Sequence, residues 1–218
     1  MKNLLTLLLV LMVLVLSPSC KKTTSDSSTT LGGDPSPMGA VGTTVSSSSV
    51  PVSGVGNINC SVVTLSDGVS SYSGTAIITS ATVKNILANF PEITIKGDSV
   101  IATGFKFKQT TEGIESFISI GPGIIANYNS SAGDTYPVGS TGRTRTVTSK
   151  SSTDDYYYGL YLIKVMKIEE PTPGLKSMGV DKITYWANHK FGLVGVQYNF
   201  SDGSSINLPV YCSASNGK

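Results

Sequence analysis

Histidine occurs once and tryptophan once, cysteine occurs three times, and charged residues make up only 14% of the chain. Each scarcity removes a class of chemistry. A single histidine and the lack of any Cys-x-x-Cys leave no ligand set for a zinc site. A Ser-His-Asp triad would have to use His189, yet no Gly-x-Ser-x-Gly elbow is present. His189 itself falls in Asn188-His189-Lys190, which reads as a turn between strands. Asp67-Gly68 and Asp202-Gly203 lack the dense Asp/Asn spacing of a calcium loop and read as turn dipeptides. No motif predicts a cofactor or a metal. The charge balance is nearly even, which argues against a basic nucleic-acid-binding face and against a polybasic membrane patch.

The amino terminus is rich in what the rest lacks. Behind Lys2, Leu4 to Leu16 is apolar except for Thr6. This run is too short to cross a hydrocarbon core of about 30 Å as a helix, which takes roughly 20 residues. A charge, a short apolar run and small residues in that order read as a secretory signal over residues 1–19. Lys2 is the sole charge there, so the exported portion carries 15 Lys+Arg, one fewer than the whole chain's 16, against 14 Asp+Glu. The boundary Ser17-Pro18-Ser19-Cys20 admits ordinary cleavage after a small residue or lipid attachment at Cys20.

The run Leu16-Ser17-Pro18-Ser19-Cys20-Lys21-Lys22 resembles the lipobox region of exported lipoproteins of the Bacteroidetes. The usual Leu stands one place early, at Leu16, and Pro18 intrudes. The resemblance implies a lipid on Cys20 and anchorage to a membrane of the cell envelope, the outer membrane above all. It covers the leader only. The later part has the general look of β-rich lipoproteins from that group, and no activity comes with it.

Residues 20–56 are dominated by Ser, Thr, Gly and Pro, with Ser46 to Ser49 unbroken. Such a composition buries little apolar surface and predicts a flexible linker. Residues 57–218 are long enough for one domain with its own core. Here short apolar runs alternate with turn residues. Ile93–Lys96, Gly97-Asp98 and Ser99–Lys108 read as a hairpin. Leu160 to Ile168, apolar on both faces, reads as one central strand covered on both sides. Ile183, Tyr185 and Ala187 alternate, and Val194, Val196, Tyr198 and Phe200 return on a period of two. One helix is expected, with Val83, Ile86, Leu87 and Phe90 on one stripe, Ser80 as its cap and Pro91 as its stop. The fold class is all-β, or β with one short helix, as an antiparallel sandwich or barrel.

Three sets of residues invite a functional reading. Cys60 and Cys212, an even pair near the two ends of the folded part of an exported chain, predict a disulfide. Glycoside hydrolysis needs two opposed carboxylates, and Glu112, Glu115, Asp154, Asp155, Glu169 and Glu170 are the candidates. Neighbours on a strand point to opposite faces, so neither doublet makes a catalytic pair by itself. Tyr156, Tyr157 and Tyr158, with Trp186, are platforms that stack on sugars or anchor a protein partner. Alternation sends Tyr157 one way and its two neighbours the other. Arg143 and Arg145, near Gly139 and Gly142, read as decoration of a solvent face. The expectation is therefore an exported, lipid-anchored, non-enzymatic module that binds a glycan or another envelope protein. A carboxylate-dependent glycoside hydrolase and a surface-fibre subunit completed by strand exchange are the alternatives.

Overall fold

The computed structural model describes residues 31–47, 54–173, 175 and 179–214. Cys20 and the signal segment lie outside the described residues. Sixteen strands alternate with turns in the described part of the chain. They are β1 (Thr44–Ser46), β2 (Val55–Ser66), β3 (Val69–Ile78), β4 (Ile93–Lys96), β5 (Ser99–Thr110), β6 (Gly113–Ser116), β7 (Gly123–Asn127) and β8 (Thr135–Pro137). They continue as β9 (Thr144–Lys150), β10 (Tyr156–Tyr158), β11 (Tyr161–Ile163), β12 (Met166–Pro171), β13 (Val180–Asn188), β14 (Gly192–Phe200), β15 (Ser205–Pro209) and β16 (Tyr211–Ser213).

The first sheet runs β16-β1-β2-β3-β5-β6-β7, with β4 also on β5; the second runs β15-β14-β13-β12-β9-β8. Every strand pair is antiparallel. This is the all-β architecture with one short helix that the turn spacing predicts. The tight hairpins have a local cause. At the β2–β3 turn Asp67 and Gly68 both take positive φ, 52° and 76°. That conformation matches the twist of a two-residue hairpin and suits Asp-Gly.

The sheets face one another across a shared core. Ile114, Ile125 and Ala126 of the first pack on Val147, Met166, Ile168 and Ala187 of the second. The expected helix is present as α1 (Ala81–Leu87), where Ser80 Oγ accepts the Val83 N–H at 3.3 Å. It ends short of Pro91, in a turn where the Phe90 N–H donates to the Leu87 carbonyl. Ile86 and Phe90 pack against Val180 and Ile183, so the helix closes one end of the interior. Under it lies an apolar pocket of about 180 Å³, and a second of about 270 Å³ lies against Tyr72, Gln109 and Cys212.

Three expectations require correction. The linker assignment over 20–56 is too long. Leu31 is buried, Pro35 bridges to Thr110, and β1 is inserted between β2 and β16. The segment from Leu31 to Ser46 crosses the first sheet as a strap. The Leu31 N–H donates to Glu115, the Ser36 N–H to the Gln109 carbonyl, Tyr72 Oη to the Met38 carbonyl and Ser70 Oγ to the Gly39 carbonyl. Small polar residues suit this role because their backbone groups, more than their side chains, make the contacts.

The single strand over Leu160–Ile168 is also replaced. Gly159 turns at φ 61°, β11 ends at Ile163, and β12 begins separately at Met166. Two strands with different neighbours thus share one apolar run. Finally, Val194 does not share a face with Val196. Trp186 pairs with Gly195 and Ala187 with Leu193, so Val194 is the extra residue of a β-bulge. A bulge changes the phase of the strand. Val194 therefore faces outward, buried beneath Tyr158 and Ile163, while Val196 stays in the core.

Candidate functional site

The outer face of the second sheet carries a small apolar cluster of its own. Trp186 stands there opposite Lys167 on one side and Gly195 on the other. The β10–β11 hairpin folds over this face, with Tyr156 opposite Ile163 and Tyr157 opposite Leu162. Tyr156 lies against Trp186, ring centroids 5.9 Å apart. The glycine at 195 permits this, since a Cβ there would run into the Tyr156 hydroxyl and the indole. Tyr158 sits between Phe191 and Tyr211 at 4.9 and 5.1 Å, and its hydroxyl accepts the Cys212 N–H at 3.2 Å. Burial pushes both phenols up, that of Tyr156 to about 12.

The alternation expected for the three tyrosines therefore holds: Tyr156 and Tyr158 pack inward and Tyr157 points out. The outward face, Tyr157 with its cross-strand partner Leu162, is apolar and open to solvent, and so are Leu160 and Tyr161 at the turn, although Tyr161 pairs with Tyr158 on the inward face. Tyr157 is 78% exposed, Leu160 93%, Tyr161 69% and Leu162 49%. Sequence reading singled out the tyrosine run but missed Leu160, Tyr161 and Leu162, because it placed them in a covered strand. The signal was present: Gly159 between two short apolar runs is a turn residue.

The carboxylates divide by strand phase. Met166, Ile168 and Glu170 of β12 are buried on one face. Glu169 faces away and meets Lys167 at 2.8 Å and Lys182 at 3.2 Å. Its partial burial opposes ionisation, but those two ammonium groups outweigh it and hold the carboxyl below its ordinary value. Glu170 is clamped by the arginines assigned above to a solvent face, which is the fourth correction. Arg145 Nε donates to Glu170 Oε2 at 2.8 Å, and Arg143 Nη1 stands 2.8 Å from Oε1. Tyr185 Oη donates to the same Oε2 at 3.0 Å.

Arg145 also donates to the carbonyls of Gly121, Gly123 and Ile124, lacing β9 to β7 across a seam between the sheets. Arg143 donates to the Ile120 carbonyl. The Arg-x-Arg spacing at the start of β9, with Arg143 just before the strand and Arg145 within it, brings both guanidiniums to Glu170 in the interior. Glu170 is thus a structural counter-ion. Glu115 is occupied by the Leu31 N–H, and Asp155 accepts from Ser151 at 2.6 Å. His189 is exposed in its turn.

The disulfide expectation is the fifth correction: Cys60 and Cys212 are free thiols. Val45 of β1 pairs with Cys60 on one side and Cys212 on the other. The cysteines are thus two strand spacings apart, roughly 10 Å, beyond the reach of a disulfide. Burial pushes both thiols up, that of Cys212 to about 12. No group of three or more His, Cys, Asp or Glu side chains gathers as metal ligands among the described residues. Compared with protein-family models, curated proteins and solved structures, the chain matches none of them.

Proposed function

We propose that this protein is a non-catalytic binding module of the cell envelope that holds a protein partner through the open side of the β10–β11 hairpin. One observation carries the reading. Tyr157 and Leu162 stand exposed on the outward face of a hairpin whose other face is anchored through Tyr156, Tyr158 and Ile163, and Leu160 and Tyr161 extend the exposed apolar surface at its turn. An apolar surface held on a rigid base is what a partner buries at the centre of an interface. The composition favours protein over glycan. Sugars stack on rings, whereas leucines add nothing to such stacking and much to a protein contact. Tyr156 and Trp186 already cover one another, which leaves Tyr157 and Tyr161 as the open rings. Export and attachment by lipid at Cys20 belong to the same proposal and rest on the leader sequence.

The test is retention of a partner from envelope extract of the producing cells on immobilised full-length chain. It is repeated with a Leu160→Ser/Leu162→Ser variant and with Tyr157→Ser. A partner held by the parent and lost from both variants, at unchanged thermal midpoints, supports the reading. Equal retention by all three chains overturns it. A glycan array run on the same proteins identifies a sugar ligand if Tyr157→Ser alone removes a hit.

A further inference from the structure

The wall around the interior changes beside β1. At Val45 the space between β2 and β16 is one strand wide, and β1 fills it. β1 ends at Ser46, while both of its neighbours run on. β2 extends back from Cys60 to Val55, and the chain of β16 leads through Val210 into β15. Among the described residues no strand lies between these two extensions. β15 pairs with β14 alone, and β1 meets β2 at Cys60 and Ser61. Both extensions border the apolar pocket beneath α1, β2 through Val55 and Ile58 and β15 through Ile206 and Leu208.

The phase of β15 fixes what its free edge offers. The Val210 N–H donates to the Val194 carbonyl, and the Phe200 N–H donates to the Ser204 carbonyl. Residues of an antiparallel strand alternate between those bonded to the neighbour and those turned from it. The even-numbered residues therefore face β14, and Ser205 and Asn207 turn their N–H and carbonyl groups away from it. Pro209, third in that phase, has no N–H to present. Side chains alternate as well, so Ile206 and Leu208 reach the pocket while Ser205 meets Gln197 at the surface.

We propose that the space between β15 and the start of β2 binds an extended, proline-free segment of a partner protein, apolar at alternate positions, as a strand in line with β1. The segment matches β15 in length, five residues. β1 itself shows what this space accepts, since it occupies the adjoining stretch between the same two lines of chain. Strand addition of this kind draws affinity from main-chain bonds and specificity from alternate side chains. Here the aliphatic floor, with Ile78, Leu87 and Val100, receives every second side chain. An alkyl chain could cover that floor but has nothing to offer the amide edge. The site shares no residue with the β10–β11 hairpin, so it stands or falls separately from the binding surface proposed there.

The probe is the capped heptapeptide Lys-Val-Thr-Val-Thr-Val-Lys, titrated into the full chain by calorimetry. Its control carries N-methyl groups on the three valine amides, which keeps the apolar side chains and blocks one edge. Saturable binding at one site is expected, with the control bound about ten-fold or more weakly, as the loss of main-chain bonds requires. Hydrogen exchange at the Asn207 amide should slow on saturation. Asn207→Pro removes that edge N–H without touching a bond to β14, and should weaken the peptide several-fold at an unchanged thermal midpoint. Leu160→Ser/Leu162→Ser should bind it as the parent does. Equal binding of peptide and control overturns the proposal, as does no binding, binding without protection at Asn207, or loss of binding in the hairpin variant. If Asn207→Pro does not fold, the control peptide and the Asn207 exchange rate in the parent decide.

Discussion

Replacing Glu170 with Gln removes the carboxylate that two guanidiniums share while leaving both of them buried. Breaking a buried pair on one side typically costs about 3–5 kcal/mol, because the surviving charge has no water to return to. Glu170→Gln is expected to fall in that range by denaturant unfolding. Glu169→Gln, one residue away on the solvent side, is expected to change stability by less than about 1 kcal/mol. A second residue-scale prediction concerns the thiols. In the folded chain Cys212 is raised from 9.0 to about 12, so its neutral form is favoured. The associated stability is complete below pH 9 and is lost as pH rises through about 12. Native protein at pH 8 should therefore resist alkylation at Cys60 and Cys212. Unfolding without reductant should let each take up one alkyl group, counted by peptide mass. A bridged pair would take up none.

At the scale of elements, legibility in the sequence tracked how local each cause is. The β4–β5 hairpin, the capped helix and the turn at His189 follow from neighbouring residues, and the structure has all three. What failed depended on partners remote in the chain. Nothing near Leu160 shows that β11 leaves the sheet to pair with β10, and nothing near Val194 shows that β13 is one residue short of it. The inward turn of Arg145 depends on carbonyls at Gly121, Gly123 and Ile124, more than twenty positions earlier. Glu170 was the exception: in phase with Met166 and Ile168, it could have been read as buried. The hairpin site was half legible for the same reason. Its tyrosines were visible as a run that alternation sorts into two sides, but which side is anchored and which is open required the sheet beneath. That sheet makes Gly195 a lever on the whole hairpin. Gly195→Ala should push Tyr156 off Trp186, giving a shifted Trp186 emission and faster proteolysis between Tyr156 and Ile163. Expected loss of global stability is about 1–3 kcal/mol, the range for overpacking. An unchanged emission spectrum would show that the hairpin does not rest on the Tyr156–Trp186 contact.

For the whole molecule, the strap from Leu31 to Ser46 is part of the folded unit. Removing residues 1–56 takes away β1 and leaves the edges of β2 and β16 without the strand between them. Exposed edges of this kind pair with other chains. The shorter protein is expected to be less stable and to associate, as read by denaturant unfolding and light scattering.

The strap also sets how the fold bears load. Between Leu31 and Thr43 it is fastened in turn to β6 at Glu115, to the β5–β6 turn at Thr111, to β5 at Gln109, to β3 at Tyr72 and Ser70, and to β2 at Val62. Tension applied on the amino-terminal side meets these fastenings in series, one or two bonds at a time. They release like a zip at low force while the ladders of both sheets stay shut. The first element to resist as a unit is β1, where β2 and β16 grip the chain from both sides.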